Sequence, residues 1–100
     1  MRLNDKSLAV LAFKNLSAEK DSEYFSDGLS DELCSVLGRV PGLRVAGSTS
    51  AFSFKRMAVT LPEIARQLGV AYLVEGSVQR EGSDVRITAK LISGADGLQV

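Results

Sequence analysis

The chain has 100 residues, 45% hydrophobic and 24% charged, a balance typical of one ordinary globular domain rather than of a disordered chain. Its twelve basic and twelve acidic side chains cancel, and because nucleic-acid binders usually carry a basic excess, we expect no nucleic-acid partner. Histidine is absent and Cys34 is the single cysteine, so we predict no metal site and no cofactor. No apolar run approaches the ~20 residues of a membrane helix, and we expect no membrane contact by this segment.

The first half of the chain predicts a strand, a helix and a second strand. Residues 8–13 are apolar without interruption, which is typical of a short strand buried on both faces. A helix is predicted to begin near Asp21 and to end at Pro41-Gly42, residues that stop helices. Its predicted apolar face consists of Phe25, Leu29, Leu33, Val36, Leu37 and Val40. Residues 43–46 then alternate as a short strand.

The second half predicts a helix followed by a hairpin. Residues 51–55 alternate as in a strand, and Thr60 with Glu63 has the form of a capping box at the start of a helix that Gly69 ends. Residues 72–78 and 85–92 alternate as two strands joined by a turn at 81–84. A second turn signal at 94–97 precedes only three residues, so we expect a fifth strand to begin there and to be truncated. We expect residues 1–100 to form a single domain of a longer protein.

The predicted order β-α-β-α-β-β defines an α/β fold. Crossovers between parallel strands are right-handed, and the all-apolar first strand belongs in the middle with a helix on each face. This predicts a mixed sheet of order 2-1-3-4, with the fourth strand antiparallel, in a three-layer sandwich. A two-layer arrangement with both helices on one face is the alternative, and the apolar first strand argues against it.

The sequence contains no phosphate-binding glycine motif and no GxSxG nucleophile elbow. We therefore predict no catalytic residue and no enzymatic activity for this chain. Asp27 and Asp31 share a helix face and could bind a cation, although a plain polar face is the favoured interpretation. Residues 48–50 could bind an anion through hydroxyls and amides, with an ordinary polar turn favoured.

Two further positions are open to a structural and to a binding interpretation. Gly28 lies within a predicted helix, where glycine costs about 1 kcal/mol relative to alanine, so either close packing or the approach of a ligand or neighbouring module would explain it. Phe52 and Phe54 are core anchors or an aromatic pair for a partner, and the core is favoured. The candidate binding residues are Asp27, Gly28, Ser48, Thr49, Ser50 and Phe52.

Residues 24–33, Tyr-Phe-Ser-Asp-Gly-Leu-Ser-Asp-Glu-Leu, resemble a stretch of bacterial domains related to the TolB N-terminal domain and to the flagellar FlgO-like domain. The resemblance continues through residues 41–45, 50–55, 68–78 and 85–92, and departs at Ala12, where relatives often have proline. It implies a mixed sheet between helices in an accessory module of multidomain proteins. Such modules accompany class III adenylate cyclase domains, winged-helix regulators or protein kinases, often before tetratricopeptide repeats.

These observations favour a non-catalytic regulatory or protein-interaction domain of a larger bacterial signalling protein, with an adenylate cyclase as the favoured parent. The alternative is a small-molecule sensor, whose ligand would bind at the C-terminal ends of the parallel strands, near residues 14–17 and 47–50. The expected partners are other domains of the parent, a partner protein, or a second copy that pairs with the sheet edge.

Overall fold

The sheet of the computed structural model, which describes residues 6–18 and 21–100, is mixed and has β1 at its centre. Its elements in chain order are β1 Ser7–Val10, β2 Lys14–Asn15, α1 Asp21–Gly38, β3 Arg44–Val45, α2 Ser48–Phe52, α3 Leu61–Leu68, β4 Tyr72–Glu81 and β5 Asp84–Ser93. β1 pairs in parallel with β3 and β4, and β4 pairs with β5 in antiparallel through ten residue pairs. The observed order is β3-β1-β4-β5. It is the predicted order 2-1-3-4, whose numbers do not count the short β2, and the prediction is therefore confirmed. The short β2, which pairs in parallel with β4, is not predicted by the sequence.

Helices cover both faces of the sheet, as the apolar first strand predicts. All four residues of β1 are buried, and the side chains of its three apolar residues alternate between two apolar clusters. On one face, α1 covers Leu8, Val10, Phe13, Val74 and Val78. On the other, α2 and α3 cover Ala9, Leu73 and Ile92 with Ala51, Ile64 and Ala65. The result is the predicted three-layer arrangement.

The face that α1 buries differs from the predicted apolar face. Its innermost residues are small and spaced by four: Ser22, Ser26, Ser30 and Cys34. Leu29, Leu33 and Leu37 pack beside them, whereas Phe25, Val36 and Val40 are exposed, so their assignment to the core is wrong. Small side chains let the helix approach the sheet closely. The Oγ atoms of Ser26 and Ser30 donate hydrogen bonds to the carbonyls four residues earlier, at 2.9 and 2.8 Å, which offsets the cost of burying them.

Residues 48–52 form a helix, and residues 53–56 continue as turns, where alternation predicted a strand over 51–55. Five residues span little more than one helical turn, so the alternation of residues 51–55 is too short to distinguish a strand from a helix. Phe52 and Phe54 are half-buried against the cluster that contains Ala51 and Ile64, which confirms their interpretation as core residues. Arg56, which ends this segment, has a positive φ of 65°.

α3 begins and ends where the sequence predicts. Thr60 Oγ1 accepts a hydrogen bond from Glu63 N at 3.4 Å, and Gly69 ends the helix in the left-handed conformation with φ 67°. The Glu63 carboxylate does not complete the predicted capping box, because it instead accepts hydrogen bonds from Arg66 and Gln67. These bonds, the one from Arg66 foremost, lower the pKa of Glu63 to about 2.

The end of the chain returns alongside β5, where a fifth strand is predicted to begin. Gln99 forms a single antiparallel bridge with Ile92, Ser93 N donates to Leu98 O at 2.8 Å, and Val100 N donates to Leu91 O at 2.9 Å. These bonds cover only the end of β5 nearest to α3. None of the described helices combines the length and apolarity needed to cross a membrane.

Candidate functional site

A cleft of about 900 Å³ lies at the C-terminal end of β1, between the sheet and the connection from α2 to α3. The cleft exists because α3 is too short to cover the whole hairpin. β4 and β5 are each ten residues long, whereas the eight residues of α3 pack only against the end of the hairpin that contains Leu73 and Ile92. The outer half of this sheet face is therefore uncovered. The location agrees with the predicted binding region for a sensor, since residues 14–16 line the cleft, although residues 47–50 do not.

The sheet supplies a polar wall. Lys14 of β2, Ser77 of β4 and Thr88 of β5 lie side by side in register. Two residues further along the hairpin, Glu75 of β4 lies opposite Lys90 of β5. Residues in register share a face of the sheet, and all five line the cleft. The apolar wall consists of Ala51, Phe54, Val59, Leu61 and Ile64 opposite the sheet, together with Leu11 at the end of β1. One side of the cleft is thus polar and charged, and the other is hydrophobic.

Positive charge predominates in the cleft although the chain as a whole is neutral. The cationic side chains along it are Lys14, Lys55, Arg56 and Lys90, and the carboxylates are Glu23 and Glu75. Glu23 is already paired with Lys55 and Arg56. Lys14 and Lys90 form no ion pair with any residue in the described part of the chain. The charges left unneutralised are therefore mostly cationic.

An ionic clasp, defined as Glu23, Asp27, Lys55 and Arg56, joins α1 to the turn after α2 at the mouth of the cleft. Lys55 Nζ lies 2.8 Å from both Glu23 Oε1 and Asp27 Oδ1, and Arg56 Nη2 lies 3.0 Å from Glu23 Oε1. Partial burial opposes the charged form of Lys55, but its bonds to Asp27 and Glu23 outweigh this and raise its pKa. The hydrogen bond from Lys55 likewise lowers the pKa of Glu23. The clasp holds the turn at residues 53–56 against α1.

The six candidate binding residues of the sequence do not line the cleft. Asp27 belongs to the clasp and borders a shallow depression beside Tyr24. Ser48, Thr49 and Ser50 form the first residues of α2, and Phe52 packs on the core. The sequence did not single out Glu75, Thr88 or Lys90, although the signal was present: they are polar positions that alternate with the apolar face of the hairpin. Within residues 6–18 and 21–100, no group of three or more His, Cys, Asp or Glu is placed to hold a metal ion.

Gly28 is exposed, and a Cβ built on it meets no atom within 4 Å. Of the two interpretations of this glycine, close packing is therefore wrong. We predict instead that Gly28→Ala raises the free energy of unfolding by about 1 kcal/mol, because alanine loses less backbone entropy in a helix. Urea unfolding followed by circular dichroism measures this. A lower midpoint for Gly28→Ala would contradict the open position of this residue.

The chain is similar to part of a longer protein, although no protein-family model matches it. It is 38% identical over 91 residues to the putative adenylate cyclase 3 of Rhizobium meliloti (strain 1021), a match that covers 91% of this chain and 16% of that protein. The chain therefore spans about one sixth of the curated relative that it matches. It is similar to one segment of a much longer protein.

Solved structures share the fold at low sequence identity. Lipoprotein GNA1162 from Neisseria meningitidis superposes with a TM-score of 0.74 at 18% identity over 95% of this chain and 74% of that one. The LpoB C-terminal domain from Escherichia coli gives 0.71 at 15% identity over 96% and 77%. A PelC dodecamer from Paraburkholderia phytofirmans gives 0.59 at 19% identity over 95% and 65%. These likenesses establish the fold alone, and the TolB-like or FlgO-like name stays a prediction.

Proposed function

We propose that the chain is a non-catalytic regulatory or protein-interaction domain of a larger bacterial signalling protein, and that its parent is an adenylate cyclase. The observation that carries this proposal is the 38% identity to a segment that makes up 16% of a putative adenylate cyclase. The absence of histidine and of a phosphate-binding glycine motif agrees with a segment that does no chemistry itself. A TolB-like or FlgO-like accessory module is the corresponding family assignment.

The test distinguishes a segment that carries out the cyclase reaction from one that only regulates it. The isolated chain should form no cyclic AMP from ATP with Mg²⁺ or Mn²⁺. In the Rhizobium meliloti protein, replacing the matching segment with a flexible linker should leave turnover present but change its rate or the oligomeric state. The proposal fails if a folded variant altered only at a carboxylate of this segment, such as the position matching Asp31, loses all turnover.

The free edge of β5 is the surface that best fits an interaction role, and we propose that it pairs with a second copy of this chain. Even-numbered residues of β5 direct their backbone groups toward β4, as Gly94 N does to Ala71 O at the base of the strand. The N–H and C=O groups of Val85, Ile87 and Ala89 therefore point outward, and no described residue bonds to them. Such an edge is a template for another strand.

Charge, together with the turn at one end of β5 and the bonds of Leu91 and Ser93 to the chain end at the other, selects one register for an antiparallel pair of β5 strands. With the two-fold axis at Ile87, Asp84 of each copy lies opposite Lys90 of the other, and the apolar Val85 lies opposite Ala89. An axis at residue 86 places Arg86 opposite itself, and an axis at residue 88 places Arg86 opposite Lys90; both bring like charges together, which is destabilising. An axis at residue 85 runs the pairing into the turn at Gly82 after three residues.

Charge reversal tests this register by light scattering. Asp84→Lys and Lys90→Asp should each weaken self-association, because like charges then meet at both ends of the paired strands. An equimolar mixture of the two variants should associate again, since every contact becomes complementary. Glu32→Lys, which makes a similar charge change on the exposed side of α1, is the control and should have no effect. A monomeric parent chain, or variants that associate unchanged, would contradict the pairing.

A small-molecule sensor is the second candidate function, and the cleft is the observation that favours it. Its volume of about 900 Å³ falls within the range of ligand pockets. It also lies at the C-terminal end of β1, where the connection to β3 runs over one face of the sheet and the connection to β4 over the other. In open α/β sheets this switch point is the usual place for a ligand.

A further inference from the structure

We infer that the cleft binds an amphipathic organic anion, a molecule with one carboxylate-like head and an aliphatic or aromatic body. This inference rests on the sensor function proposed above and names the chemical class of its ligand. It depends on two features that face each other across the cleft. One is the apolar wall, and the other is the pair of lysines on the sheet, Lys14 and Lys90, which form no ion pair within the described part of the chain.

The apolar wall is suited to the body of the ligand. Leu11, Phe54, Val59 and Leu61 are only partly buried, although they pack on the core. Met57 at the mouth is 55% exposed. A hydrocarbon or aromatic ring placed against this wall would remove apolar surface from water on both partners, which is the main source of affinity in small-molecule sites. A purely polar ligand, such as an inorganic ion, would leave this wall wet.

Lys14 and Lys90 are suited to the head of the ligand. They lie two strands and two residues apart on one sheet face, so their Cα atoms are separated by about 12 Å. Each lysine side chain extends roughly 6 Å, so both ammonium groups can reach one anionic group between them. The hydroxyls of Ser77 and Thr88 lie between the two lysines on the same wall and can donate further hydrogen bonds.

Glu75 is the one feature of this wall that opposes an anion. It lies directly across from Lys90 in the strand register, but the two form no ion pair. Its carboxylate repels an anionic head and attracts the Lys90 ammonium, so it limits affinity. Glu75→Gln should therefore strengthen binding of the anion, an effect in the opposite direction to loss of either lysine.

The experiment titrates the whole ¹⁵N-labelled chain with three eight-carbon probes that differ only in head charge: octanoate, 1-octanol and octylammonium. Octanoate should bind most tightly and should shift the amide signals of Leu11, Val59 and Thr88. Lys14→Gln and Lys90→Gln should each weaken octanoate binding by about tenfold, the size expected for a charge-assisted hydrogen bond, without changing the affinity for octanol. Arg39→Gln, at an exposed site just after α1, is the control and should leave all three affinities unchanged.

The outcomes separate this inference from the sensor function. If octanol or octylammonium shifts the same signals as strongly as octanoate, and the lysine variants change nothing, the cleft is a ligand site but the anionic class is wrong. If none of the three probes shifts any cleft signal, both the inference and the sensor function fail. Selective binding of octanoate that both lysine variants weaken supports the inference.

Discussion

Gly76→Ala should lower the free energy of unfolding by about 3 kcal/mol, at the upper end of the range for overpacking. A Cβ at this position would overlap the backbone carbonyl oxygen of Thr88 on the paired strand and would lie 2.7 Å from Cε2 of the Phe13 ring. The ring can move only within a filled cluster, because Phe13 is 2% exposed. The carbonyl can move only if β4 and β5 separate. Glycine is therefore required here so that the ring of Phe13 can lie directly on the hairpin.

Urea unfolding followed by circular dichroism measures the effect, with Gly28→Ala as the matched control. Both substitutions add one methyl group to the chain, but only the one at Gly76 meets other atoms. The two variants should therefore move the midpoint in opposite directions. An unchanged midpoint for Gly76→Ala would mean that β4 and β5 accommodate the methyl group, which would contradict the tight contact between Phe13 and the hairpin.

The order of strands could be predicted because it depends on patterns that extend along whole elements. An uninterrupted apolar run at residues 8–13 indicates a strand covered on both faces, and the order of helices between the strands then leaves few topologies. Residues 72–78 and 85–92 likewise alternate over enough positions to identify a hairpin. Each of these features is repeated several times, so a single exceptional residue does not hide it.

The face of α1 could not be predicted from hydrophobicity, because the residues closest to the sheet are polar by type. Ser22, Ser26 and Ser30 are fully buried, whereas Phe25 and Val36 are about 40% exposed. What selects the buried face is side-chain size: the helix lies close enough to the sheet that only small side chains fit between them. The spacing of four between these serines was the available signal, and the apolar pattern obscured it.

The cleft could be predicted in position but not in composition. Its place at the C-terminal end of β1 follows from topology. The composition of its walls does not follow from topology. It depends on residues 51–55 forming a helix end and a turn rather than the predicted strand, and on α3 being too short to cover β4 and β5. Lys14 and Lys90 are 76 positions apart in the chain, and only the register of β2, β4 and β5 places them on one wall.

Ser30→Ala should lower the free energy of unfolding by about 1–3 kcal/mol, the cost of a buried backbone donor left without an acceptor. Ser30 Oγ accepts a hydrogen bond of 2.9 Å from Phe13 N, in a position where both residues are buried and water has no access. Phe13 lies between β1 and β2, which pair one after the other with the same edge of β4 but with a shift of one residue in register. A helix hydroxyl therefore replaces the sheet bond that this amide would otherwise make.

Ser35→Ala is the matched control, because Ser35 lies on the same helix but is exposed. Alanine favours helix at both positions by a few tenths of a kcal/mol, so Ser35→Ala should be neutral or slightly stabilising. Hydrogen exchange adds a local measurement: the Phe13 amide should exchange faster in Ser30→Ala and at an unchanged rate in Ser35→Ala. Equal stability of the two variants, with the Phe13 amide still protected, would mean that another acceptor replaces the hydroxyl. Because Lys14 follows Phe13 directly, a loosened Phe13 would also displace one of the two lysines on the polar wall of the cleft.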